Sequence, residues 1–191
     1  HRLFQVIKLT KGVNYMKKYL LPENGSFYKA NLHCHSTFSD GKWTPEELKE
    51  RYMRHGYSII AFTDHRKMHS QAHLTDSDFL ALDGYEIDVN EQETNKNGYR
   101  KTCHFCLIAK KQGMSQPDFG DNTYTPENIS RIMSEAREKG FFVTYNHPVW
   151  SREFIEDIVR YEGMDAMEIA NYSCLVGGYD DYVPWVYDEM L

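Results

Sequence analysis

Residues 44–65 read TPEELKERYMRHGYSIIAFTDH, and this stretch decides the fold class. Thr44 suits a helix N-cap, Pro45 the first helical position, and Glu47 closes a capping box. Leu48 and Tyr52 then share a face, Gly56 suits the residue just past a helix, and Tyr57 to Phe62 forms a short apolar strand. Thr63-Asp64-His65 follows at the strand's exit. The same order returns in residues 125–148, TPENISRIMSEAREKGFFVTYNHP. There Ile129, Ile132, Met133 and Ala136 recur at i, i+3, i+4 and i+7, Gly140 ends the helix, Phe141 to Tyr145 reads as a strand, and Asn146-His147-Pro148 leaves it. A weaker third copy runs from Ser151 to Tyr161 as a helix, then Gly163, then a strand from Ala166 to Ala170.

Helix, glycine, buried strand and polar exit is the rhythm of βα units on a parallel sheet. Ligands of such folds sit at the carboxyl ends of the strands, where two copies place His65 and His147. Further strands are expected at Ala30 to His35, which carries His33 and His35, and at Thr102 to Ala109, which carries His104. Between them Tyr85 to Val89 carries Glu86, and residues 90–100 read as a polar loop. A strand is also expected at Leu3 to Leu9, followed by a Lys-rich stretch.

The whole chain of 191 residues suits one domain. Its balance of 22 Lys and Arg against 28 Asp and Glu, a net charge of −6, argues against nonspecific binding to a phosphate backbone. No apolar run approaches the ~18 residues of a membrane span, and no secretory leader is apparent. Four cysteines do not make a disulfide framework, so reduced thiols and a cytoplasmic location are expected. On a strand, Cys103 and Cys106 face opposite sides, which argues against a redox pair.

Nine histidines are the unusual count. His33 and His35, at i and i+2 of a strand, point the same way and can reach one ion, with Asp40 close behind in a turn. Each candidate has an ordinary structural explanation. Asp64 can be a helix cap, Glu86 a surface carboxylate, His104 a core histidine and His147 a loop residue. That all of them fall at strands or strand exits favours a common site. Imidazole and carboxylate together suit Zn²⁺, Mn²⁺ or Fe²⁺. Two such ions ~3.5–4 Å apart lower the pKa of a shared water to about 7 and clamp a phosphoryl oxygen.

The run Leu32-His33-Cys34-His35-Ser36-Thr37-Phe38-Ser39-Asp40-Gly41, then Ala61-Phe62-Thr63-Asp64-His65, Gly84-Tyr85-Glu86 and Asn146-His147-Pro148, resembles the PHP (polymerase and histidinol phosphatase) family over about residues 29–171. The resemblance implies a distorted (β/α)7 TIM-like barrel with two or three divalent metal ions at its mouth, and hydrolysis of phosphoesters by a metal-bridged hydroxide. It implies that His33, His35 and Glu86 bind one metal, that Glu86, His104 and His147 bind a second, and that Asp40 and His65 bind a third. Asp64 would orient a ligand or relay a proton, and Arg66 is a candidate for holding a substrate phosphate. The expected catalytic residues are Asp64, Glu86 and His65.

One departure stands out. The family's late Asp-x-His motif is absent after Asn171, and residues 179–191 look like the helix that would precede it. The expectation is therefore an N-terminal segment, residues 1–28, of unknown role, and a PHP domain, residues 29–191, that lacks its last strand and belongs to a longer protein. The expected substrate is a phosphomonoester of a small metabolite or nucleotide. The alternatives are a nuclease or nucleoside-bisphosphate phosphatase acting on short oligonucleotides or bisphosphates, and a noncatalytic metal-binding module. An amidohydrolase-like barrel is disfavoured, because Glu86 stands where that class needs a bridging lysine.

Overall fold

The computed structural model describes residues 25–190. The strand expected at Leu3 to Leu9 lies outside the described residues. Six strands form one sheet in chain order: β1 (Ala30–Cys34), β2 (Ile59–Phe62), β3 (Leu80–Asn90), β4 (Thr102–Ala109), β5 (Phe141–Tyr145) and β6 (Ala166–Met167). Helix α1 (Pro45–Arg54) joins β1 to β2, and α2 (Pro126–Glu138) joins β4 to β5. Short helices α3 (Ile155–Ile158), α4 (Tyr172–Val176) and α5 (Pro184–Met190) complete the described chain.

Both Thr-Pro helix starts behave as their sequences dictate. The Thr44 side chain accepts from the Glu47 amide while Glu47 returns to the Thr44 amide, and the Thr125 side chain accepts from the Asn128 amide. The helices end where Gly56 and Gly140 take left-handed φ values of 77° and 95°.

Strand alternation sorts the sheet into two faces. On β4, Cys103, Phe105, Leu107 and Ala109 pack outward with Ile129, Ile132, Met133 and Ala136 of α2, Val143 and Tyr145 of β5, and Tyr85 and Val89 of β3. Burying each large apolar side chain there contributes roughly 1.5–3 kcal/mol. A smaller cluster holds Leu48 of α1 against Ile60, Phe62, Leu74, Phe79 and Ala81. The intervening positions, His33, Glu86, His104, Cys106 and Thr144, face the other way. That polar face is the inside of the curl.

The strands are not uniformly parallel. The β1–β2, β2–β3 and β5–β6 pairs are parallel, whereas β4 runs antiparallel to both β3 and β5. The polar loop 91–101 returns the chain directly without a crossover helix, so β4 must run backwards. His104 therefore reaches the mouth from the beginning of its strand, not from its end.

The third copy is also much reduced. Residues 148–154 form turns tied to the preceding loop: the Ser151 amide donates to the His147 carbonyl and the Glu153 amide to the Pro148 carbonyl. Four residues of helix remain of the expected eleven-residue stretch, and β6 has two residues. The architecture is a mixed α/β fold with a curled six-stranded sheet, a half-barrel in keeping with part of a TIM-like barrel.

Candidate metal centre

Glu86 sits at the centre of the polar face, fully buried on β3. Five imidazoles surround its carboxylate. His33 Nε2, His104 Nδ1 and His147 Nε2 lie 3.3, 3.2 and 3.1 Å from Oε1, and His35 Nε2 and His65 Nδ1 lie 3.3 and 3.1 Å from Oε2. Asn146 Nδ2 donates to Oε1 at 2.8 Å and also reaches the Cys106 sulfur at 3.1 Å. The β2–β3 pairing continues past β2 as a bridge between His65 and Glu86, and this backbone link fixes the two residues side by side.

Two further carboxylates flank the cluster. Asp40 lies 2.7 Å from His35 Nδ1 and 3.5 Å from His65 Nε2 at the exposed rim. Glu168, just beyond β6, accepts from His33 Nδ1 at 2.8 Å, from the His147 amide at 3.1 Å and from Asn171 Nδ2 at 3.0 Å. Asp64 is buried, yet it stands behind the cluster. Its carboxylate accepts from the Ser36 amide, the Ser36 hydroxyl and the Ser39 hydroxyl at 2.8, 2.8 and 2.7 Å, which ties down the loop that presents Asp40. Gly41 closes that loop, and a Cβ there would lie 2.2 Å from the His35 carbonyl oxygen.

The donor set fits cations. Glu86 Oε2 and His104 Nδ1 are buried without a hydrogen-bond partner among the described residues, although each has a close polar neighbour. His33 Nε2 and His35 Nε2 face each other at 3.1 Å, so two ring nitrogens aim at one spot. An isolated buried carboxylate costs several kcal/mol, and ligation is the ordinary remedy. Burial opposes ionisation of Glu86, but the His33 charge and the close His104 and His147 rings hold its carboxyl well below the usual carboxylate range. Burial likewise opposes the His33 imidazolium, and Cys106, Glu86 and Glu168 overcome it, so its pKa is raised.

Three groupings place their ligand atoms within 4.8 Å of one another: His33 with His147 and Glu168, His65 with Glu86 and His104, and His35 with Asp40 and His65. All seven expected ligands thus meet in one cluster around Glu86. Two residues went unanticipated. The Asn146-His147-Pro148 motif implies no role for Asn146, yet its side chain holds Glu86. Glu168 falls inside the strand expected from Ala166 to Ala170, and only because β6 stops at Met167 does it leave the strand as His65 and His147 leave theirs. Cys106 also comes close, within 4.8 Å of His33 and Glu86 as a group, while Cys103 packs in the outer core. Arg66 points elsewhere. Its guanidinium is paired twice with Asp88, at 2.6 and 2.7 Å, and its side chain is 76% exposed.

A cavity of about 430 Å³ opens onto the cluster, walled by Trp150, Tyr179, Ser173 and Cys174. The Trp150 ring packs edge-on against His104 and His147, with centroids 5.0 and 5.2 Å away. Among the described residues the non-glycine positive-φ positions are Arg66, His147 and Arg152, all at or beside this cluster. Such conformations cost about 1–3 kcal/mol each and gather at functional sites.

Among the described residues, no helix is long and apolar enough to cross a membrane. The PHP domain family model matches residues 31–188. Over 65 residues the chain is 35% identical to the DNA polymerase/3′-5′ exonuclease PolX of Bacillus subtilis (strain 168), a match spanning 34% of this chain and 11% of that protein. A crystal structure from Bacteroides vulgatus ATCC 8482, a two-domain protein containing a predicted PHP-like metal-dependent phosphoesterase, superposes on 79% of this chain and 49% of its own, with TM-score 0.44 and 20% identity. Another from Bifidobacterium adolescentis ATCC 15703, assigned as a metal-dependent phosphoesterase, covers 76% of this chain and 78% of its own, with TM-score 0.48 and 14% identity.

Proposed function

The chain belongs to the PHP domain family, and from that premise we propose that it hydrolyses phosphoesters with divalent metal ions, its substrate being a phosphomonoester of a small metabolite or nucleotide. The observation that carries this reading is the buried Glu86 carboxylate ringed by five imidazoles, with Oε2 and His104 Nδ1 left without hydrogen bonds among the described residues. His33, His35, Asp40, His65, Glu86, His104 and His147 would hold two or three ions of Zn, Mn or Fe, joined by Glu168. When bound, such ions supply a water of pKa about 7 and neutralise charge on the phosphoryl oxygens.

The chain's own residues do the positioning. Glu86 brings five ligands to one point. Asp64 acts through Ser36 and Ser39 as a positioning residue for Asp40. Asp40, exposed at the rim and touching His35 Nδ1 and His65 Nε2, is placed to pass protons between the cluster and solvent. Trp150 packs edge-on against the His104 and His147 rings and walls that side of the cavity. The net charge of −6 supports a small substrate over a polynucleotide.

The test is hydrolysis of p-nitrophenyl phosphate and bis-p-nitrophenyl phosphate, read as p-nitrophenolate, and of a short oligonucleotide, read as chain shortening, after loading with Mn²⁺, Zn²⁺ or Fe²⁺. Monoester turnover that is lost on chelation and restored by metal is expected. A metal-loaded chain that turns over none of the three overturns the reading in favour of a noncatalytic module, and preference for the oligonucleotide would make it a nuclease.

A further inference from the structure

Beside the metal-site cavity lies a second one, of about 470 Å³, and the two share His65, His104 and Trp150 as a common wall. Arg66, Arg100 and Arg152 line this second cavity, with Asp88 the single carboxylate among the described residues that line it. Asp88 is already committed to Arg66, gripping it through two hydrogen bonds. Among the described residues, Arg100 and Arg152 form no ion pair; Arg152 instead lies over the Tyr99 ring, 4.5 Å from its centroid, which orients the guanidinium.

Three arginines thus line one hollow, and one carboxylate, already bound to Arg66, stands against them. In a chain of net charge −6 such a concentration of positive charge is not a by-product of composition. Its placement follows the cluster residue by residue. Arg66 follows His65, Asp88 lies two residues beyond Glu86 on the same face of β3, and Arg152 ends the turn that begins at His147. Arg100 precedes β4, the strand that carries His104. Arg66 and Arg152 both hold left-handed backbones, at φ 62° and 59°. Guanidinium groups present paired donors that match the oxygens of phosphate and carboxylate.

We propose that the Arg66–Arg100–Arg152 cavity is an anion subsite that selects phosphoesters carrying a second anionic group, phosphate or carboxylate, a few bonds from the ester cleaved at the neighbouring cluster. This deepens the phosphoesterase reading and rests on it. The second group crosses the His104–Trp150 wall and docks on Arg100 and Arg152, and Arg66 is held ready by Asp88.

The experiment compares three esters of one length on the metal-loaded chain: propyl phosphate, 1,3-propanediol bisphosphate and 4-phosphooxybutyrate. The expected result is a kcat/KM about tenfold or more higher for the two compounds that carry a second anionic group, carried mainly by KM. The better of the two identifies phosphate or carboxylate as the docked group. In the R100Q/R152Q variant the ratio falls towards one. Because it is a ratio within one protein, partial misfolding does not counterfeit it. A wild-type ratio near one overturns the proposal, and so does a preference that survives in the variant. If no ester is turned over, the phosphoesterase reading fails and the subsite is judged on the metal-free chain by calorimetric titration with 1,3-propanediol bisphosphate. Binding of one equivalent that the variant loses sustains it, and no binding overturns it.

Discussion

Glu168 Oε1 lies 2.8 Å from His33 Nδ1, although the two residues leave opposite edges of the sheet, β6 and β1. A flat six-stranded sheet would hold these edges about 24 Å apart at a strand spacing of ~4.8 Å. The curl therefore brings the two edges together at the mouth, and this ion pair is where they meet.

Glu168 supports three partners at once: the His33 ring, the His147 amide and the Asn171 side chain. Replacing it with alanine is expected to weaken metal retention by about 10–100-fold, the usual cost of losing a partner that orients a ligand. Competition against a chromogenic chelator measures this. Unchanged affinity in E168A would remove Glu168 from the site.

Asp64 accepts three hydrogen bonds in a buried setting, two of them from Ser36. D64A leaves those donors unsatisfied and is expected to cost about 2–4 kcal/mol in urea unfolding, with D64N costing less. If D64A unfolds at the wild-type urea midpoint, the loop 36–41 is not held in this way.

Gly41 permits the chain to pass the His35 carbonyl at a distance no Cβ tolerates. G41A must displace Asp40 from His35 and His65. Its expected signature is loss of part of the bound metal, read per chain by plasma mass spectrometry, with the secondary structure retained by circular dichroism. Full metal content in G41A would contradict it.

Glu153 is buried beneath the hydroxyls of Tyr124, Tyr145 and Tyr161. Burial outweighs these hydrogen bonds and raises its carboxyl pKa above the ordinary 4.5. The folded state thus holds this proton more tightly than the unfolded chain. Its contribution to stability is complete below the unfolded pKa and is lost as pH rises through the raised folded value. E153Q keeps a hydrogen-bonding oxygen without the charge. Its Tm relative to wild type should therefore climb as pH increases from 4 to 8, and a flat difference would refute the assignment.

Much of the site was legible because its signals were local. The Thr-Pro-acid starts, the glycines after the helices and the His-x-His strand each follow from neighbouring residues. The outcome was less legible where it depended on partners far along the chain. The direction of β4 is decided by the 91–101 loop, since a buried strand reads alike in either direction. Glu168 meets His33 across 135 residues, and no local pattern foretells that contact. The helix expected after Ser151 was lost because its first turn is spent on backbone hydrogen bonds to Thr102, His147 and Pro148.

The measurement that bears most directly on the whole account is the metal content per chain, by plasma mass spectrometry, of protein purified without chelator or nickel resin, beside E86Q. The account predicts two or three equivalents of Zn, Mn or Fe in the wild type and a loss of most of them in E86Q. Metal near zero in the wild type, persisting after reconstitution, would contradict it.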